Sequence, residues 1–344
     1  MNESPLARLL ERTELSAEET EGLVELLTVP STPDSLRAAV LMALEARGST
    51  ARELAEFALA LRRRARSFPL PRGCAPIDLC GTGGAPRATF NVSTVSAFVV
   101  AAAGTPVAKH GNRSARNPSG SSDLLAALGL PVLTSREYPE ESLRRSGLAF
   151  LHAPLFHPAT RAVAPVRAAL GIPTIFNRIG PLTNPLPLAG QMVGTPSRAA
   201  ARLVAGALGR LGVPRRLVVT SVDGADEWSP KAATLAFRSA GTKVTHSTID
   251  GPSHLDPEDR KGEWGPLAPT AAAEETERLL AGGPGARRGA VLLTSGAALW
   301  MAGASPTLAR GVETARDALD GGGAESKLGE LRKLAAERAW RDAE

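Results

Sequence analysis

Apolar residues in the first part of the chain recur three and four positions apart. Leu6, Leu9 and Leu10 open one stripe, and Leu23, Leu26 and Leu27 open a second behind Ser16-Ala-Glu-Glu19, the capping-box signature of a helix start. Ser35–Arg47 and Thr50–Arg64 keep the same period, and the last of these ends in a basic run. No strand pattern interrupts this stretch, so a small all-helical unit is expected. Ser67-Phe-Pro-Leu-Pro-Arg-Gly73 reads as its linker to the rest.

From Ile77 the pattern changes. Short apolar runs suited to strands lie near Ile77–Cys80, Val107–Lys109, Leu148–Leu151, Leu217–Ser221 and Val291–Leu293. Between them, helical periods fall near Thr94–Ala103, Ser122–Leu128, Pro158–Leu170 and Ala199–Leu211. Alternation of this kind argues a mostly parallel sheet covered by helices. The expected fold is α/β. A small all-helical N-terminal domain would span 1–70, with part of 160–190 packing against it. A large domain over 74–344 would hold a mostly parallel central sheet flanked by helices. Ligands of such sheets bind beyond the carboxyl ends of the strands, which is where the turns after Cys80 and Lys109 fall.

Those turns carry the densest chemistry. Asp78-Leu-Cys-Gly-Thr-Gly-Gly84 is an apolar strand running into a glycine turn, where Gly81, Gly83 and Gly84 let backbone N–H groups approach an oxyanion and Thr82 adds a hydroxyl. Asn91, Ser93 and Thr94 then begin an apolar helix, where capping and anion binding share one geometry. No Gly-Lys-Ser/Thr follows and no dinucleotide fingerprint matches. Lys109-His110-Gly-Asn112 ends the next strand in a cationic turn, and Gly120-Ser121-Ser-Asp123 opens another helix. The whole set suits a polyphosphate. Asp226 and Glu227, just past the strand Leu217–Ser221, could hold Mg²⁺, a hard cation that bridges to phosphate oxygens. His157, Arg161 and Arg167, with Phe176-Asn-Arg178-Ile-Gly180-Pro181-Leu-Thr-Asn-Pro185, make a third cluster in which Arg167 suits bidentate capture of a carboxylate.

Composition narrows the partners. A net charge of +5 permits an anionic ligand, but Lys and Arg are dispersed and a single Tyr leaves little for base stacking, which disfavours nucleic acid. Cys74 and Cys80 are the two cysteines and lack metal-type spacing, which fits a reduced compartment. Met1-Asn-Glu-Ser-Pro lacks an export signature and no apolar run reaches the ~18 residues of a membrane span. A cytoplasmic protein without membrane contact is the expectation.

With these residues in view, the chain resembles the anthranilate phosphoribosyltransferase family. Gly-Thr-Gly-Gly, Asn-x-Ser-Thr, Lys-His-Gly-Asn-Arg, His-Pro-Ala, Phe-Asn-x-x-Gly-Pro-Leu-Thr-Asn-Pro and Asp-Gly-x-Asp-Glu occur in the family's order. The resemblance implies transfer of a phosphoribosyl group from phosphoribosyl pyrophosphate (PRPP) to the amine of anthranilate, with Mg²⁺, in tryptophan synthesis, by a homodimer formed through the helical part. It implies PRPP contacts from Gly81, Thr82, Gly83, Gly84, Asn91, Ser93, Thr94, Lys109, Arg116 and Ser121. Ser93, Asp226 and Glu227 would ligate Mg²⁺, with Lys109, Asp226 and Glu227 as the catalytic set. His110, Asn112, His157, Arg167, Arg178, Gly180 and Pro181 would line the route of the aromatic acid.

Departures from the family pattern stand beside the match. Ala85 replaces the Asp expected after Gly-Gly, and Arg116-Asn117-Pro-Ser-Gly120 stands where Ser-Ser-Lys-Ser-Gly is usual. His152 occupies a common Phe position, and Arg178 an apolar one. They raise an alternative acceptor, another amino- or hydroxybenzoate. A non-catalytic nucleic-acid-binding relative is the third reading; intact Lys109, Asp226, Glu227 and Arg167 count against it.

Overall fold

The computed structural model describes residues 5–114, 118–241 and 243–341. Four helices come first: α1 (Pro5–Leu10), α2 (Ala17–Thr28), α3 (Asp34–Arg47) and α4 (Ala51–Arg63). The expected capping box of Ser16 with Glu19 forms, and a second joins Thr50 to Glu53. Glu53 does more than cap. Its carboxylate, 1% exposed, also accepts the Leu15 N–H at 2.9 Å and pairs with Arg47 at 2.6 Å, joining the start of α2, the end of α3 and the start of α4.

The rest of the chain builds one seven-stranded sheet in the order β3-β2-β1-β4-β5-β6-β7. The strands are β1 (Ile77–Gly81), β2 (Val107–Gly111), β3 (Leu148–His152), β4 (Gly190–Gly194), β5 (Arg215–Ser221), β6 (Thr234–Ala240) and β7 (Lys243–Ile249). The first five run parallel, while β6 and β7 are antiparallel and form one edge. Among the described residues, eleven further α-helices complete the fold. They are α5 (Val92–Ala102), α6 (Ser121–Ala127), α7 (Glu137–Ser146), α8 (Ala153–Phe156), α9 (Ala164–Leu170), α10 (Ile175–Ile179), α11 (Arg198–Arg210), α12 (Pro269–Leu280), α13 (Ala286–Ala302), α14 (Leu308–Asp320) and α15 (Gly323–Arg341).

Alternation along the strands divides the core in two. Ile77, Leu79, Met192, Leu217 and Val219 pack with α5, α12, α13, α14 and α15. On the other face, Cys80, Val193 and Val218 share a core with α11 and the N-terminal helices, and with Val163, Val166, Ile175, Phe176, Ile179 and Leu182.

One expected strand is absent: Val291–Leu293 lies inside α13. That helix is buried on every side from Ala286 to Leu299 except at Arg287, so its apolar run has no polar stripe and reads like a buried strand. Strand β4 has the opposite history. Flanked by Gly190 and Gly194, it holds too few apolar residues to stand out, yet it lies at the centre of the sheet.

Candidate active site

The chain leaves β1 toward β2 on one side and, after β3, crosses to β4 on the other. The carboxyl ends of β1 and β4 are therefore the switch point of the sheet, where a crevice opens. Gly81 pairs with Gly194 there, and the Thr82 N–H donates to the Gly194 carbonyl at 2.9 Å. A methyl on Gly194 would sit 1.7 Å from the Asp226 carbonyl oxygen, and one on Gly81 would sit 3.5 Å from Asp226 Oδ2. The absence of side chains is thus what lets the loop after β5 drop onto the glycine turn. Gly83 and Gly84 follow with φ of +66° and +79°, a left-handed backbone that favours glycine.

The turn is held to the acidic loop a second time. Arg87 bridges to Ala225, donates to Asp223 at 3.2 Å and lies over the Trp264 ring. Glu227 is hydrogen-bonded by Ser93 in the first turn of α5 and lies within reach of the Lys109 charge. Lys109, 4% exposed, donates from Nζ to the Leu79 carbonyl at 2.6 Å. Thr94 is buried beside Ser93, and Asn91 donates to the Ser119 carbonyl at 3.3 Å, linking the start of α5 to the segment before α6. Gly120 is pressed against the backbone of Asn112–Ser114, and Ser121 donates to the Asn112 carbonyl at 3.2 Å. Arg116 and Asn117 lie outside the described residues.

Electrostatics single out the acidic pair. Burial raises Asp226 to about 6, and burial, reinforced by the Asp226 charge, raises Glu227 to about 8. Two adjacent carboxylates, Glu227 buried and Asp226 half-buried, are more easily ionised together beside a cation. Among the described residues no cluster of three or more His, Cys, Asp or Glu could hold a metal. Two carboxylates and the Ser93 hydroxyl, completed by water and phosphate oxygens, are the donor set Mg²⁺ accepts.

Behind Lys109 lies a neutral aromatic pair. His110 and His157 stack edge to face with centroids 5.1 Å apart. Burial depresses both, His157 to about 4, so both are uncharged at neutral pH. The turn Gly180–Thr183, with Pro181 buried, lies against them. Arg167 stacks over Phe176 at 5.2 Å and reaches Asn177 at 3.5 Å. Arg178 is committed elsewhere, in a bidentate pair with Glu45 of α3 at 2.6 and 3.0 Å. His152, at the end of β3, is bonded through Nδ1 to Ser122 at 2.9 Å.

Three participants escape the sequence reading. Gly194 had a signal, since Val193-Gly-Thr195 ends its strand as Cys80-Gly-Thr82 ends β1. Asp78, fully buried, accepts from the His110 N–H, Asn184 and Gln191 at 3.2, 2.9 and 3.1 Å, and so ties β1 and β2 to the turn at Pro181. Arg62 also reaches this turn, from α4, and nothing in its basic run marks it out from its neighbours.

Fold and site together describe a glycosyl transferase made of a helical bundle and an α/β part. The helical bundle domain of the glycosyl transferase family matches residues 4–65, and the a/b domain of that family matches 74–325. An anthranilate phosphoribosyltransferase of Solibacter usitatus is 42% identical over 338 residues, covering 97% of this chain and 98% of that protein. The crystal structure of the Thermus thermophilus anthranilate phosphoribosyltransferase superposes with a TM-score of 0.86 at 35% identity, covering 97% of this chain and 99% of that one. The Saccharomyces cerevisiae enzyme, solved in complex with PRPP and Mg, shares the fold with a TM-score of 0.84 at 23% identity, covering 97% of each chain. The chain belongs to the anthranilate phosphoribosyltransferase family.

Proposed function

We propose that the protein transfers the phosphoribosyl group of PRPP to the amine of anthranilate, releasing pyrophosphate, as a Mg²⁺-dependent step of tryptophan biosynthesis. One observation supports this most: the glycine turn, the first turn of α5, Lys109 and the Asp226–Glu227 pair meet at a single strand-end crevice. Backbone N–H groups of Gly81, Thr82, Gly83 and Gly84, with Asn91, Thr94, Ser121 and Arg116, cradle the phosphates. Asp226, Glu227 and Ser93 would hold Mg²⁺, which when bound neutralises charge on the leaving pyrophosphate. Lys109 adds a fixed positive charge to the same oxygens. The acceptor enters past His110, Asn112, His157, Gly180 and Pro181, and Arg167 binds its carboxylate.

Displacement at the anomeric carbon then needs a held leaving group and two aligned substrates. The C–O bond to pyrophosphate breaks as the amine nitrogen bonds to carbon, and the arylammonium formed loses its proton readily. No strong base is required, and the two neutral, buried histidines are suited to packing against the aromatic ring. A homodimer through the helical unit fits its surface, where Leu10, Val29 and Met42 are exposed. A cytoplasmic setting fits the free thiols of Cys74 and Cys80, and no described helix is long and apolar enough to cross a membrane.

The test is incubation with PRPP, Mg²⁺ and a panel of benzoic acids, following pyrophosphate and product mass. Anthranilate-dependent release and complementation of a tryptophan auxotroph are expected. Release with another amino- or hydroxybenzoate alone would move the reading to a related acceptor, for which the polar His152–Ser122 contact at a usual Phe position speaks. DNA binding that is steeply salt-dependent, without any pyrophosphate release, would overturn catalysis itself.

A further inference from the structure

Helix α4 ends in Arg62-Arg63, with Arg64 as its C-cap, and the three side chains part company. Arg63 and Arg64 both reach the Glu21 carboxylate on α2. Arg62 turns inward instead. Its Nε donates to the Leu182 carbonyl at 2.8 Å, while its Nη2 is buried and has no partner among the described residues. Leu182 belongs to the Gly180–Thr183 turn, and the two histidines are seated on that same turn. The His110 ring lies by the Gly180 carbonyl and the His157 ring by that of Thr183. Each ring leaves a buried Nε2 without a partner. The two rings, from β2 and the end of α8, are thus already turned to the carbonyls of this turn, and Arg62 Nη2, from α4, is the cationic donor beside them that stays unpartnered among the described residues.

A buried guanidinium nitrogen left unpaired is costly, more so than a neutral donor. Arg62 had an alternative, since the neighbouring arginines on its helix found a carboxylate at the surface. Its charge reaches both imidazoles and, after burial, helps keep His157 unprotonated. The resulting surroundings are two flat, neutral rings 5.1 Å apart beside the Arg62 guanidinium, with the charges of buried Asp78 and Lys109 reaching the same region. Such a setting suits a planar anion with an aromatic body: the charge meets the guanidinium fork and the ring lies among apolar faces. Arg167 is differently placed, stacked on Phe176 and turned to Asn177.

We propose that Arg62, contributed by the helical unit, is a specificity-determining residue of the acceptor site, its Nη2 donating to a carboxylate oxygen of the aromatic acid. The inference rests on the acceptor being an aromatic carboxylic acid, as read above. Its consequence is that the helical unit takes part in choosing the substrate.

The experiment compares the full-length protein with Arg62→Met and Arg62→Lys. Acceptor and PRPP KM values, equilibrium binding of anthranilate by calorimetry, and melting temperature are measured for each. Arg62→Met is expected to weaken anthranilate about 10- to 100-fold, the worth of a charge-assisted hydrogen bond, with PRPP KM within about twofold. The preference for anthranilate over 2-aminobenzamide, which lacks the negative charge, should shrink by the same factor. Arg62→Lys keeps the charge and the reach to Leu182 but not the fork, so a smaller loss of that preference is expected, and it carries the test should the Met variant not fold. An unchanged preference in the folded variants, with activity falling alongside melting temperature, would reduce Arg62 to a brace for the turn and overturn the proposal. Calorimetry separates this from failure of the functional reading. Arg62-dependent anthranilate binding without transfer would sink the activity and leave this inference standing, whereas transfer with Arg62-independent binding would do the reverse. Absence of any anthranilate binding by the unaltered protein would overturn both.

Discussion

Single atoms decide how the two halves of the crevice meet. Gly194 has no room for a methyl, because one would overlap the Asp226 carbonyl at 1.7 Å. Gly194→Ala must push the acidic loop off the glycine turn. The expected result is a loss of Mg²⁺ affinity of at least about tenfold, with milder loss of stability in the range of an overpacked core, about 1–3 kcal/mol. A Mg²⁺ titration of activity in this variant that overlays the unaltered protein would show that the close approach is unimportant. At the acceptor end, Arg167→Ala is expected to raise the acceptor KM about tenfold or more while leaving the PRPP KM nearly unchanged. Equal effects on both would make Arg167 a structural residue. Asp226→Asn with Glu227→Gln should lower turnover sharply and alter its Mg²⁺ dependence, and an unaltered titration would remove the pair from the metal site.

Among the elements, the N-terminal helices depend on one carboxylate. Glu53 serves the cap of α4, the Leu15 N–H and Arg47 together, with Arg47 and Glu53 both nearly inaccessible. Glu53→Ala strips the carboxylate from a buried guanidinium, which keeps only the Thr13 and Gly48 carbonyls, and leaves two backbone donors unpaired. A destabilisation of about 3–5 kcal/mol is expected, the usual cost of stripping one partner from a buried ion pair, and chemical denaturation would measure it. A change below about 1 kcal/mol would mean that water replaces the carboxylate. Capping at Ser16 was legible in the sequence because caps are local: donor and acceptor lie three residues apart. Strand β4 and helix α13 were not, because their environment is global. A central strand bounded by glycines shows little pattern, and a helix buried all round shows none.

For the molecule as a whole, the acidic pair couples pH, metal and stability. Asp226 and Glu227 bind their protons more tightly folded than unfolded, so the unfolded chain releases them first as pH rises. Stability from this source is therefore fully present below about pH 4, the unfolded carboxylate range, and is lost as pH climbs through about 6 and then about 8. Without Mg²⁺ the melting temperature should fall between pH 5 and 8.5, and millimolar Mg²⁺ should restore it chiefly at the upper end, where the carboxylates are ionised. The Asp226→Asn, Glu227→Gln protein should show neither effect. A flat profile in the unaltered protein, with or without Mg²⁺, would mean that the pair is hydrated and holds no metal.

The sequence by itself determined the local features: helix starts, the glycine turn, the order of separated motifs, the parallel strands marked by apolar runs, and hence the family. Each depends on neighbours within a few positions or on residue types in a fixed order, which a linear text preserves. Which arginines are already paired near the Gly180–Thr183 turn was decided only in three dimensions. Arg178 looked available and is spent on Glu45, whereas Arg62, identical in kind to Arg63 and Arg64, turns inward because α4 packs beside the Gly180–Thr183 turn. The sequence names the side chain, but where it points depends on what packing leaves open.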